Sequence, residues 1–149
     1  MLTRHSDRSN RGGEHTVTFF IDAEHRHWSQ ARPWLEKACN EADGWWTIEA
    51  LEQLLRDGKA LLWVLAQDGE PIAAVVTTLC DWDGREVAEI LVTGGTGILA
   101  GIADHFWKIE HWAKSHGARE IMLRGRRGWV KALKSRGYDE IAVTLRKAL

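Results

Sequence analysis

The segment between residues 85 and 124 constrains the fold of this chain more than any other. The run REVAEILVT, Arg85 to Thr93, alternates in polarity and is rich in β-branched residues, which is typical of a strand. A glycine turn follows, and then a helical pattern whose apolar stripe consists of Leu99, Ile102, Phe106, Ile109 and Ala113. The run REIML, Arg119 to Leu123, supplies another strand. A strand, a long helix and a strand in succession indicate a βαβ crossover over residues 86–124, with parallel strands and a right-handed connection.

Two helices are predicted before this unit. The first is expected from about Ser29 to Ala42, starting just before Trp34 because Pro33 is tolerated only in a first turn, and ending at Asp43-Gly44. The second is expected to be capped by Thr47, with Trp46 and Leu51 as a hydrophobic staple, and to end at Gly58.

The remaining elements are strands and one short helix. A first strand is predicted at Thr16 to Ile21, and two more at Ala60 to Gln67 and Pro71 to Leu79. The last two are joined by a tight hairpin at Asp68-Gly69. A short helix, about Trp129 to Arg136, and a final strand, Glu140 to Leu145, complete the chain. The sequence therefore predicts an α/β (α+β) domain with a mixed sheet of about six strands, in the order β-α-α-β-β-β-α-β-α-β.

Composition limits the domain organisation and the function classes. The chain has 149 residues, enough for one domain over 16–149, while residues 1–15 contain three arginines and almost nothing apolar and are predicted to form a flexible basic tail. The formal net charge of −1 does not support nucleic-acid binding. The two cysteines have no ligand-like spacing and are interpreted as reduced thiols. With no apolar run of membrane-spanning length and no signal core, the expected location is the cytoplasm of a bacterial host.

The order of these elements resembles that of the GCN5-related N-acetyltransferase (GNAT) superfamily, over nearly all of Thr16 to Leu149. The segments DGKALLWVLAQDGEPIAAVVTTL, IEHWAKSHGA and GRRGWVKALKSRGY look more narrowly like small GNAT-like proteins encoded by tailed phages and prophages. The resemblance implies a GNAT-like fold and acetyl-CoA or CoA as the cofactor.

The resemblance also implies where the pyrophosphate of coenzyme A binds. The family's loop reads Gln or Arg, two residues, Gly, one residue, and Gly or Ala; here Val92 stands at the first position, and Gly95-Thr96-Gly97 matches the glycine half. Backbone N–H groups at a helix N-terminus suit a phosphate, and Thr96 could cap that helix. The implied cofactor contacts are Val92, Gly94, Gly95, Thr96, Gly97 and Ile98. The alternative is a tight corner between strand and helix.

Acetyl transfer needs a base for the attacking amine and an acid for the departing thiolate. In many members of the superfamily the acid is a tyrosine on the short helix, but aligning Gly137-Tyr138 with the family's Gly-Phe pair puts Leu133 at that position and makes Tyr138 a core residue. Glu89 is the candidate base and Glu86 the second choice. The alternative interpretation of Glu89 is a solvated carboxylate on the face of the strand.

The segment from Arg124 to Arg136 contains the densest basic patch in the chain. Such a cluster can bind a phosphate, including the 3′-phosphate of coenzyme A, or an acidic protein surface; the alternative is a solvated cationic face. The candidate residues are Arg124, Arg126, Arg127, Trp129 and Lys131.

The histidines and tryptophans give weaker signals. None of the seven histidines has a partner spaced to complete a zinc site, so no metal is predicted. Nine tryptophans exceed what a core this small is expected to hold. Some of Trp28, Trp34, Trp45, Trp82 and Trp107 are therefore predicted to form an interaction surface, which substitution of Trp82 and Trp107 by serine would test. The partners implied are other phage proteins or a second copy of the chain, through this surface and the basic tail.

Two functions follow from the sequence. The first is an acyl-CoA-dependent N-acyltransferase with an incomplete catalytic set. The alternative is a non-catalytic phage structural or assembly component, associated with the virion, that uses the same fold as a protein-interaction scaffold.

Overall fold

A six-stranded sheet with helices on both faces forms the centre of the protein. The computed structural model describes residues 2–7, 13–42, 45–96, 99–125 and 127–149. The strands are β1 (Leu2–Asp7), β2 (Gly13–Ile21), β3 (Leu61–Gln67), β4 (Glu70–Trp82), β5 (Arg85–Gly95) and β6 (Glu120–Leu123). The helices are α1 (Trp28–Glu41), α2 (Ile48–Arg56), α3 (Leu99–Ala103), α4 (Phe106–Ser115) and α5 (Arg127–Lys134).

The strands lie in sequence order, β1-β2-β3-β4-β5-β6. All neighbours are antiparallel except β5 and β6, which are parallel. The predicted βαβ unit is therefore confirmed. The predicted hairpin is confirmed as well, because Asp68 and Gly69 both have the positive φ, 52° and 83°, that its tight turn requires.

Each face of the sheet buries its own core, because neighbouring residues of a strand point to opposite sides. Leu62, Val64, Ala74 and Val76 pack against α1 and α2. Trp63, Leu65, Ala73 and Val75 pack on the other face against α3, α4 and α5. Both faces are thus buried along β3 and β4, which explains their continuous apolar runs.

Several predicted bounds are wrong. Helix α1 starts at Trp28, so Pro33 lies inside it, where its ring removes one backbone hydrogen bond; the buried residues Ala31 and Leu35 on both sides of it hold the helix on the sheet. The predicted stop at Asp43-Gly44 lies outside the described residues. The long helix after β5 is two helices, interrupted by a turn at residues 104 and 105. Thr47 caps α2 as predicted, its hydroxyl oxygen accepting the Ala50 N–H at 3.1 Å.

The two ends of the chain also differ from the prediction. Residues 2–7 of the predicted tail form β1, because pairing with β2 through backbone groups does not require apolar side chains. The predicted strand Glu140 to Leu145 is absent: residues 138–149 have no regular structure and expose Ile141, Val143 and Leu145. Alternating polarity alone did not make this segment a strand, since a strand also needs a partner. No helix in the described part of the chain has the length and apolar character needed to cross a membrane.

Candidate functional site

The parallel strands β5 and β6 separate at the point where a cavity opens. They pair only from Val87 with Glu120 to Ile90 with Leu123, although β5 continues to Gly95. One residue beyond the last pair, the register with β4 shifts: Val76 pairs with Val92 and Thr77 with Ile90, so Leu91 is the extra residue of a β-bulge. A bulge bends its strand, and clefts at the carboxyl ends of parallel strands commonly bind ligands.

The cavity has a volume of about 130 Å³ and a mainly apolar lining. This is close to the ~150 Å³ of an engineered cavity that holds benzene, so it has room for a small organic group. Its lining comes from the end of α1, the segment before α2, β5 and the residues after β6: Cys39, Ala42, Trp45, Trp46, Glu89, Leu91, Val92, Arg124 and Gly125. The predicted residues Glu89, Val92 and Arg124 are therefore brought together.

Glu89 is a half-buried carboxylate in this cavity, not a solvated one. Burial raises the pKa of its carboxyl above the ordinary value, and the nearby charge of Arg124 and a hydrogen bond from Cys80 offset part of the rise. Glu86, the second choice for the base, is three residues earlier on the same strand, exposed, and directed to the opposite face. Since a carboxyl with a raised pKa suits proton transfer near neutrality, Glu89 is the stronger candidate.

Cys80 lies beside Glu89 on the adjacent strand. Its Sγ is 3.9 Å from Glu89 Oε1 and 3.5 Å from the Val87 carbonyl oxygen, so its single S–H has two alternative acceptors. Burial and the neighbouring Glu89 carboxylate raise the pKa of the Cys80 thiol. This thiol therefore stays protonated and acts as a donor to Glu89 rather than as a nucleophile.

The substitution Cys80→Ala is expected to raise the pKa of the Glu89 carboxyl further, because it removes a hydrogen bond that favours the charged form. The change is measured by NMR titration of the glutamate carboxyl carbons. Cys39→Ala is the matched control: Cys39 lines the same cavity from α1 and is expected to leave the Glu89 titration unchanged. A pKa that stays constant or falls in the Cys80 variant contradicts this account.

The two glycines at the end of β5, Gly94 and Gly95, are explained by close packing. A Cβ on Gly94 would lie 2.4 Å from the Trp34 carbonyl oxygen of α1, and one on Gly95 would lie 2.5 Å from the Ile72 carbonyl oxygen of β4. The Thr96 N–H and hydroxyl both donate to that same Ile72 oxygen, at 2.9 and 3.2 Å, and the helix cap at Thr96 stays a prediction. Gly97 and Ile98 lie outside the described residues. Pyrophosphate binding at this loop stays a prediction.

The predicted residues of the basic segment after β6 lie on different faces of the sheet. The Arg124 guanidinium lies over the Trp45 ring, 4.1 Å from its centroid, at the cavity. Trp129 instead stacks on Phe106 in the opposite core, with ring centroids 5.5 Å apart, and a Cβ on Gly125 would lie 2.5 Å from this indole. The remaining predicted members are Arg127 and Lys131, which are exposed on α5, and Arg126, which lies outside the described residues.

Tyr138 is part of the core opposite the cavity, as the alignment predicted. Its hydroxyl donates to Glu110 Oε2 at 2.6 Å, and burial together with this bond raises the pKa of the phenol. It therefore does not lie at the cavity. Leu133, which the alignment places at the tyrosine position, is buried in the same core.

The tryptophans have different environments. Trp63 is buried and donates to Thr77, while Trp82 and Trp107 are exposed, as the interface hypothesis requires. That hypothesis stays a prediction. Within the described part of the chain no three His, Cys, Asp or Glu side chains are grouped as a metal site.

Sequence reasoning missed Cys80 beside Glu89 and several residues of the cavity lining, namely Cys39, Ala42, Trp45, Trp46 and Leu91. The pair Trp45-Trp46 immediately before the Thr47 cap was a usable signal, since the end of α1 and the segment before α2 line the same cavity with β5. No sequence signal reveals the Leu91 bulge, because it depends on the register with β4.

Searches against models of protein families and against curated proteins find no match. Solved structures do match. An aminoglycoside acetyltransferase from an uncultured soil metagenomic sample, in complex with sisomicin, has a TM-score of 0.63 and 13% identity over 91% of this chain and 96% of that one. A predicted acetyltransferase from Clostridium acetobutylicum, with acetyl-CoA, has a TM-score of 0.66 and 13% identity, over 89% of this chain and 96% of that one. An aminoglycoside N-acetyltransferase in complex with CoA has a TM-score of 0.60 and 14% identity, over 99% of this chain and 97% of that one.

The chain has the fold of these acetyltransferases. The GNAT-like fold expected from the order of the elements is thereby confirmed. At identities this low the likeness concerns the fold alone, and the activity has to be argued from the site.

Proposed function

We propose that this protein is an N-acyltransferase of the GNAT type, which transfers the acetyl group of acetyl-CoA to an amine and uses Glu89 as the general base. One observation carries the proposal: a half-buried glutamate with a raised pKa lies in a small apolar cavity where two parallel strands separate. Perturbed carboxylates in such cavities are candidates for catalysis.

The residues of the cavity fit the acyl end of a thioester. The volume of about 130 Å³ accommodates a small acyl group beside an amine, and the apolar lining keeps water away from the reacting atoms. The bulge takes Leu91 out of the pairing with β4, so its backbone N–H is a candidate donor to an acyl oxygen. Acetyl-CoA, when bound, supplies the acetyl group in an activated form.

The residues around Glu89 prepare its carboxylate to accept the proton of the acceptor amine. Burial makes the carboxylate a stronger base than a solvated glutamate, which brings it closer to the range useful near neutrality. The Cys80 thiol donates to Oε1 and orients the group, and the charge of Arg124 keeps the ionised form accessible. Since Tyr138 lies on the other face of the sheet, no tyrosine of the described residues lines the cavity as an acid.

Calorimetric titration of acetyl-CoA into the purified protein tests this proposal. We expect saturable binding to one site per chain, with free CoA competing for the same site. A folded protein that gives no heat at saturating acetyl-CoA, and no shift in its melting temperature, would overturn the proposal. The alternative function, a non-catalytic assembly component, gains no support from the cavity. Trp45 is one of the exposed tryptophans, but its ring contacts Arg124 at the cavity.

A further inference from the structure

The mouth of the cavity holds an arginine whose charge is not matched by a salt bridge. Arg124 is the first residue after β6, and its guanidinium stacks on Trp45 with its central carbon 4.1 Å from the ring centroid. No described carboxylate is in salt-bridge contact with it. Five other described arginines do have such contacts: Arg26, Arg32, Arg56, Arg85 and Arg136.

Stacking on an indole leaves the edge of a guanidinium available. Where a guanidinium stacks on an aromatic ring through its flat face, its N–H donors lie in the plane of the group and match the two oxygens of a carboxylate. The stacking also fixes the orientation of the group before a ligand arrives, which reduces the entropy lost on binding. Arg124 is therefore prepared to bind an anion at this cavity.

The same cavity contains Glu89, so a small ligand can contact both groups. Glu89 and Arg124 line one space of about 130 Å³, whose other lining residues are mainly apolar. A molecule that complements this arrangement has an amine for Glu89, a carboxylate for Arg124 and a small apolar body. A second positive charge on the acceptor would instead lie near Arg124 and be repelled.

We propose that the acceptor is an amine that also bears a carboxylate, namely an amino acid with a small or medium apolar side chain, and that Arg124 selects it by binding the carboxylate. This inference rests on the proposed function and names its substrate class. It excludes polycationic amines as preferred acceptors of this chain.

The test compares each amino acid with its own amide, which keeps the side chain but loses the negative charge; because the ammonium group of the amide is also the more acidic, the rates are compared over a range of pH. Rates of CoA release from acetyl-CoA are measured for leucine and leucinamide, for alanine and alaninamide, and for the polycation spermidine. We expect kcat/KM to be about 10- to 100-fold higher for the free acids, as for the loss of one charged hydrogen-bonded partner. A preference for amides or spermidine, or equal rates, would overturn the inference while leaving the proposed function intact.

Variants of the arginine show whether the selection acts through it. Arg124→Gln is expected to remove the preference, so that each acid and its amide react at similar rates, while any effect through the Glu89 carboxyl changes both rates alike. Arg124→Lys is expected to restore part of the preference. Arg119→Gln, at the other end of the same strand and exposed, is the matched control and is expected to keep the full preference. An unchanged preference in a folded Arg124→Gln variant contradicts the role of Arg124.

Two further outcomes separate the possible failures. If the folded wild type acetylates none of these amines and does not bind acetyl-CoA, the proposed function fails and the inference fails with it. If phosphoethanolamine is acetylated faster than every amino acid, Arg124 selects a phosphate, and the carboxylate assignment is wrong.

Discussion

Replacing Glu89 by glutamine is expected to lower the rate of amine acetylation about 10²- to 10⁴-fold at neutral pH, the usual contribution of a positioned general base. The substitution keeps the size of the side chain but removes its ability to accept a proton. Because the carboxylate is half-buried with a raised pKa, its loss is not easily replaced by solvent. The effect is measured as the initial rate of CoA release at saturating acetyl-CoA.

Glu86→Gln is the matched control. It lies on the same strand, but its side chain is exposed and directed to the opposite face of the sheet, so the rate is expected to stay within about twofold of wild type. Equal rates for the Glu89 variant and wild type, with both proteins folded, would show that the base is elsewhere.

The substitution Glu89→Gln also changes how the free energy of unfolding depends on pH. The pKa of Glu89 is raised in the folded state above its ordinary value near 4.5, so the folded protein binds the proton more tightly than the unfolded chain. Stability from this group is therefore present below the ordinary pKa and is lost as the pH rises through the raised folded value. Urea denaturation at several pH values is expected to give a flatter profile for Glu89→Gln than for wild type. An identical slope in the two proteins would contradict burial of the carboxyl.

The substitution Gly94→Ala is expected to destabilise the fold by about 1–3 kcal/mol, the typical cost of overpacking a well-packed interior. The added Cβ would lie 2.4 Å from the Trp34 carbonyl oxygen, and that atom is helix backbone which cannot rotate away. Helix α1 would have to move from the sheet, and the lining residue Cys39 with it. The loss is measured by urea denaturation.

Gly101→Ala is the control for this substitution. Gly101 lies in α3 with open space around an added Cβ, so alanine is expected to leave stability unchanged or to raise it by up to about 1 kcal/mol. Wild-type stability in the Gly94 variant would mean that the close approach of α1 to β5 is wrong. Because a Cβ on Gly94 or Gly95 would clash with neighbouring backbone, a loss of acetyl-CoA binding in either variant would reflect altered packing before it reflects a lost phosphate contact.

Features governed by local chemistry could be predicted from the sequence. The βαβ unit, the Asp68-Gly69 hairpin and the Thr47 cap each depend on the pattern or turn chemistry of a short segment. The strand expected at Glu140 to Leu145 failed because a strand also needs a partner, which periodicity does not show. Helix α1 extends through Pro33 because its packing on the sheet outweighs one lost hydrogen bond.

The site was predictable only in Glu89, Val92 and Arg124. Glu89 and Val92 lie within one predicted strand, and Arg124 directly follows the next. Their shared cavity depends on the Leu91 bulge and on Trp45, which involve contacts between distant segments. Gly94 and Gly95 at the end of β5 show the opposite case: these two glycines of a pattern typical of phosphate binding have a sufficient cause in the approach of α1 and β4.

The central claim is that this protein transfers an acetyl group to an amine at the Glu89 cavity. The most direct measurement uses acetyl-CoA with a ¹³C-labelled acetyl group, a mixture of amines and amino acids, and mass spectrometry of the small molecules. The account predicts a labelled N-acetyl product that forms with wild type and Glu86→Gln but not with Glu89→Gln. No labelled amide above the protein-free control, from a protein shown to be folded, would contradict it.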